Sequence, residues 1–123
     1  MKRDPELIRT ILNIIEDNPA CSNISNLKIE GHSHEEVMEH VELLIDANFI
    51  KGSIISDTSG QPKEYLIQRM TWDGQEFLAN AKNDTIWNSV CSLAKEKGLA
   101  LSINVMSALL IEASKRAFGL SHT

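Results

Sequence analysis

EYLIQRMTWDGQEFLANA, residues 64–81, passes from a strand pattern to a helix pattern with no residues left over for a loop. Its first seven residues alternate, with Tyr65, Ile67 and Arg69 on one side and Leu66, Gln68 and Met70 on the other, which is the periodicity of a β-strand. Thr71 then stands at an N-cap position, where its hydroxyl can accept from an amide one turn on. Asp73 falls in the first turn, where the helix dipole favours negative charge. Phe77, Leu78 and Ala81 follow at helical spacing and predict a helix over about 72–82. Trp72 is large and apolar, and is expected to pack back on the strand.

Working outward, SHEEVMEHVELLIDANFI (residues 33–50) reads as a helix running into a strand. Ser33 and Glu36 make the S-x-x-E capping pattern. Val37, Val41, Leu44 and Ile45 form an apolar stripe, with Met38 beside it. Phe49 to Ser56 reads as a strand, and a turn around Asp57, Ser59 and Gly60 joins it to the strand at Glu64–Met70, making a hairpin. Upstream, Asp4, Pro5 and Glu6 announce a first helix whose face is Leu7, Ile8, Ile11, Leu12, Ile14 and Ile15. The Ser- and Asn-rich stretch after it is mostly loop, with one short strand at Leu27–Glu30. Downstream, Asp84 is expected to cap a helix carrying Ile86, Trp87, Val90, Cys91 and Ala94, which Gly98 terminates. The last helix is expected from Ser102 to Phe118.

The order is helix, loop, helix, hairpin, then three helices. This predicts an α+β, mainly α fold: a winged-helix-like core over residues 1–82, with a two-stranded hairpin as the wing, and a helical extension over 83–123, all in one domain of 123 residues. The middle helix usual in such domains would fall in residues 18–32, where the sequence does not supply one.

Net charge is −5, unevenly placed: ten acidic against four basic side chains in residues 1–50, and three against five in residues 82–123. No apolar run is long enough to cross a bilayer, and no signal-peptide pattern precedes Asp4, Pro5 and Glu6. Cys21 and Cys91 lack metal-ligand spacing. A cytoplasmic protein without membrane contact is expected.

MKRDPELIRTILNIIED, HVELLIDANFIKG and above all RMTWDGQEFLANAKNDTIWNSV, with AFGL near the end, resemble domain of unknown function 2513, a family of short bacterial proteins often encoded in phages and prophages. The resemblance covers nearly the whole chain and implies a winged-helix-like fold in a phage or prophage context. Gln75 stands where the family leads one to expect a histidine. No activity is established for the family, so no catalytic residue is carried over.

Read for chemistry, the chain points away from catalysis. GHSHEEVMEH gathers His32, His34 and His40, with Glu36 and His40 at helical spacing, but H-E-x-x-H is absent and no further ligand is evident, so no metal and no cofactor is expected. Cys91 lies in an apolar stripe, where a thiol is packing and not a nucleophile. No glycine-rich phosphate loop occurs. Winged helices commonly place the helix before the wing in the DNA major groove, yet here that helix carries Glu35, Glu36, Glu39, Glu42 and Asp46 and no Lys or Arg. Phosphates would be repelled by it. The expected function is therefore a non-enzymatic binding module with a protein partner, which takes the face formed by Glu35, Glu39, Glu42 and Asp46; a plain solvated face is the bland reading of the same residues. A DNA-binding regulator is the alternative. Ile103, Met106, Leu109, Leu110 and Phe118 give the last helix apolar residues on more than one face, which suggests a homodimer.

Overall fold

The computed structural model describes residues 3–18, 22–98 and 103–117. It is α+β and mainly helical: α1 (Pro5–Asp17), α2 (His34–Asp46), β1 (Ile50–Ser56), β2 (Pro62–Met70), α3 (Trp72–Ala81), α4 (Asp84–Glu96) and α5 (Ile103–Ala117). The arrangement is consistent with a winged helix followed by C-terminal helices. Two compact units divide within α3, one ending at Gln75 and the other beginning at Glu76. Among the described residues between α1 and α2 there is no helix.

In the first unit, both leading helices start as their sequences predict. The Asp4 carboxylate accepts from the amides of Glu6 (3.0 Å) and Leu7 (3.3 Å), and Pro5 follows in the first turn. Leu7, Ile8, Ile11, Leu12 and Ile15 are buried, and Ile14, at the margin of that face, is half-buried. Ser33 Oγ accepts from Glu36 N at 3.1 Å. The reciprocal half of the capping box is absent, because the Glu36 carboxylate instead meets His32 Nδ1 at 2.6 Å. Val37, Met38, Val41 and Leu44 are buried, whereas Ile45 is half-buried.

His40 ties the two helices together. It is fully buried. Its Nε2 accepts from Asp4 N at 2.9 Å, so Nδ1 carries the proton and donates to the Glu36 carbonyl at 2.8 Å.

The helix-to-strand passage is short because α2 ends in a Schellman motif. Asn48 adopts a left-handed conformation (φ 61°), its amide donates to Ile45 O, and the Phe49 amide donates to Leu44 O. Asparagine is among the few non-glycine residues that tolerate this conformation.

β1 and β2 pair antiparallel, from Ile50 opposite Met70 to Ser56 opposite Pro62. The register slips twice, leaving Gln68 and Lys63 as the extra residues of two bulges. The slip at Gln68 corrects the simple alternation. Met70 joins Tyr65 and Ile67 on the buried side, and Arg69 is exposed. Gly52 sits beside this bulge, where a Cβ would fall on the Leu66 carbonyl oxygen.

The strand expected at Leu27–Glu30 is corrected as well. The chain pairs with β2 three residues earlier, through an isolated bridge of Ile24 to Ile67 with amide–carbonyl distances of 2.9 and 2.8 Å. Leu27 is buried, and its amide donates to the Tyr65 hydroxyl and not to a strand carbonyl.

Thr71 joins β2 to α3. Its hydroxyl accepts from Gly74 N (3.1 Å) and donates to Asn48 O (2.6 Å), and its amide donates to Phe49 O (2.9 Å). A Cβ at Gly74 would fall on the Phe49 carbonyl oxygen, so this glycine lets the first turn of α3 lie against the start of β1. Trp72 does not pack back on the strand. It is 74% exposed, because Thr71 and Gly74 take the inward positions of that turn.

In the second unit Phe77, Leu78 and Ala81 of α3 are buried, as are Trp87, Val90 and Ala94 of α4 and Met106 and Leu110 of α5. The Phe77 and Trp87 rings meet edge to face, with centroids 6.4 Å apart. The cap of α4 is Asn83, whose Oδ1 accepts from Ile86 N at 3.0 Å, so the expected cap at Asp84 moves by one residue and Asp84 lies in the first turn. Gly98, with φ 67°, follows the end of α4.

Candidate interaction surface

Glu35, Glu39, Glu42 and Asp46 are all exposed on α2. Their spacing carries them along one side of the helix, away from Val37, Val41 and Leu44. None of the four forms an ion pair among the described residues. Three of them border a groove of about 240 Å³ between α2 and the hairpin, lined by Glu35, Met38, Glu39, Glu42, Ile54, Gln61 and Pro62. Apolar atoms of Met38, Ile54 and Pro62 thus lie beside three carboxylates. Such a surface can hold a cationic side chain by its charge and an aliphatic stem by contact. The carboxylates were legible from sequence. The contribution of Ile54, Gln61 and Pro62 was not, since only the fold of the wing back along α2 brings them there.

The three histidines go separate ways. His32 meets Glu36, and His40 is enclosed between α1 and α2. The His34 ring stacks on Tyr65 with centroids 5.7 Å apart, and its Nε2 lies 3.3 Å from Lys63 O. Among the described residues no three His, Cys, Asp or Glu side chains converge as metal ligands would. Burial pushes the Tyr65 hydroxyl above its ordinary range, and the hydrogen bond from Leu27 N opposes that shift.

Residues 2–100 match the model of a family described as "Hypothetical protein (DUF2513)". The chain belongs to this family. A relative described as an uncharacterized protein of Haemophilus influenzae is 34% identical over 107 residues, covering 86% of this chain and 89% of the relative. No solved structure matches the chain.

The rest of the surface narrows what this member of the DUF2513 family can present. Of the residues expected to form a dimer helix, Met106 and Leu110 are buried within the chain's own fold and are not available to a second copy. Leu109 is half-buried beside Ile86, Val90, Leu93 and Ala113 in a groove of about 520 Å³ between α4 and α5. The Ile103 side chain and Phe118 lie outside the described residues, as does Cys21. Cys91 is half-buried on α4. No described helix is long and apolar enough to cross a membrane.

Proposed function

We propose that the chain is a non-enzymatic binding module of phage or prophage type, acting in the cytoplasm by seating a basic protein segment on the acidic side of α2. The observation that carries this reading is the groove in which Glu35, Glu39 and Glu42 stand beside Met38, Ile54 and Pro62 without cationic partners among the described residues. Charge complementarity at such a surface speeds encounter, and apolar contact in the groove slows release. The order of helices around a hairpin favours a DNA-binding regulator as the second reading. Against it, α2 would bring five carboxylates and no cation to the phosphates.

The test is an affinity capture from host extract with wild type and with the double variant Glu39→Lys, Glu42→Lys, alongside a duplex-DNA shift assay. A protein retained by wild type and lost by the double variant, with both unfolding at the same midpoint, is the expected result. Tight binding of a specific duplex that the reversals abolish would replace this reading with the second. The proposal also carries a homodimer, narrowed to the Leu93 and Leu109 surface of α4 and α5; a monomer mass in light scattering at high concentration removes that part.

A further inference from the structure

The hairpin has a second face. Ile50 and Met70 are opposite each other and buried, so Lys51 and Arg69, the next pair in the ladder, project from the other side, where both are exposed. Directly opposed side chains in an antiparallel pair lie about 5 Å apart at Cβ, and like charges so placed repel. Neither cation has an ion pair among the described residues; Lys51 Nζ reaches Asn48 Oδ1 at 3.5 Å and Arg69 donates to Met70 O at 3.1 Å. Three residues beyond Arg69, the Trp72 indole stands 74% exposed on the first turn of α3, its backbone fixed by Thr71. The acidic groove lies on the opposite side of the hairpin. It is lined by Ile54, which pairs with the buried Tyr65.

We propose that Lys51, Arg69 and Trp72 form a contact site for single-stranded nucleic acid, with the two cations on a backbone phosphate and the indole stacked on a neighbouring base. Two unneutralised cations call for an anion, and an exposed indole calls for a flat π-surface or an apolar partner. A purely acidic peptide uses the first and leaves the second bare, whereas every nucleotide step carries a phosphate and a flat base together and engages both. Asp73, exposed in the same turn, opposes the phosphate, and only two cations take part. The site is therefore weak and salt-sensitive, with log affinity falling against log salt at a slope of about −0.7 for one neutralised phosphate on a single strand. This inference is independent of the acidic face and of its partner.

Trp72 is exposed and Trp87 is buried, so quenching by acrylamide reads the Trp72 environment. Titration of the full chain with oligothymidylate at low salt should protect that emission from the quencher and raise the anisotropy of a labelled oligonucleotide. Trp72→Ala should weaken binding about tenfold, the size of one lost base stack. Lys51→Ala with Arg69→Ala should remove measurable binding, Asp73→Asn should tighten it, and all of these variants should unfold at the wild-type midpoint. The Glu39→Lys, Glu42→Lys variant should bind the oligonucleotide no less tightly than wild type, which separates this site from the proposed protein-binding face. Absence of protection at low salt, or binding that the Trp72 and Lys51/Arg69 variants leave unchanged, would overturn the proposal. Polyglutamate that competes as well as oligothymidylate would also overturn it, in favour of an acidic protein.

Discussion

The base and the tip of the hairpin are held by different physics. At the base, Phe49, Ile50, Met70, Thr71 and Gly74 are buried, and the Phe49 backbone, just before β1, meets the first turn of α3 directly. At the tip, every residue from Asp57 to Gln61 is exposed. There the Asp57 carboxylate accepts from Ser59 N, Ser59 Oγ and Gln61 N at 2.9, 2.7 and 3.0 Å, while Gly60 takes a left-handed φ of 86°. Tertiary packing fixes the base, and one side chain organises the tip locally. The base should therefore respond to changes in volume, and the tip to changes in charge.

The largest effect is expected at Gly74. Alanine has the better helix propensity, by about 1 kcal/mol. Its Cβ must nevertheless displace the Phe49 carbonyl, which is backbone and cannot swing aside. A clash with backbone puts the overpacking cost at the upper end of the usual range, about 3 kcal/mol, so Gly74→Ala should be destabilising by about 2 kcal/mol net in a denaturant titration. A neutral or stabilised Gly74→Ala would show that the base yields, and the contrast with the tip would fail.

Tyr65→Phe comes next. It preserves the buried ring beside His34 and removes the acceptor for the Leu27 amide, at about 1–3 kcal/mol for a donor left without a partner. Burial raises the Tyr65 hydroxyl above its ordinary value of 10.0, so the folded state holds this proton more tightly than the unfolded state does. The associated stability is fully present below pH 10 and is lost as pH rises through the raised value. Stability of wild type and Tyr65→Phe, measured against pH on the alkaline side, should converge. Parallel curves would mean that the hydroxyl is wetter than its burial indicates.

These sites also show what could be read in the sequence and what could not. Asp4, Ser33 and Thr71 act on amides two or three residues away, and such local chemistry is visible in a single chain. Asn83 and Asp84 are both good caps one position apart, so sequence alone could not separate them. The bulge at Gln68 depends on how β1 pairs with β2, and it reversed the faces of Arg69 and Met70. Gly52 and Gly74 are needed because of carbonyls far away in the chain. The acidic face of α2 was legible because charge and helical period lie together in sequence. The groove was not, because it is assembled between α2 and the hairpin, and neither was the pairing of Lys51 with Arg69, which depends on the register of β1 against β2.

Trp72 marks the outer edge of the base. With its ring 74% exposed, Trp72→Ala should alter stability by no more than about 0.5 kcal/mol, in contrast to its neighbour Gly74. A loss of several kcal/mol on thermal or chemical unfolding would move the indole into the packed base and remove it from any ligand site.

The smallest effect belongs to the tip. Hydrogen bonds, first from the Ser59 side chain and then from the Gln61 backbone, hold the Asp57 carboxyl below its ordinary 3.8. Between the lowered folded value and 3.8 the unfolded chain binds more protons, so stability there rises with pH. The contribution of Asp57 is present above 3.8 and is lost as pH falls through the lowered value. Asp57→Asn keeps an acceptor oxygen and removes the charge, so its deficit should be seen at neutral pH and should disappear as wild type is acidified through the lowered value. Because the residue is fully exposed, solvent screens the interaction and the difference in unfolding midpoint should be small. Base variants such as Gly74→Ala should keep their deficit over the same acid range, since no proton enters their effect. If the Asp57→Asn deficit instead persisted unchanged into acid, the turn would be held by shape and not by charge, and tip and base would differ only in degree.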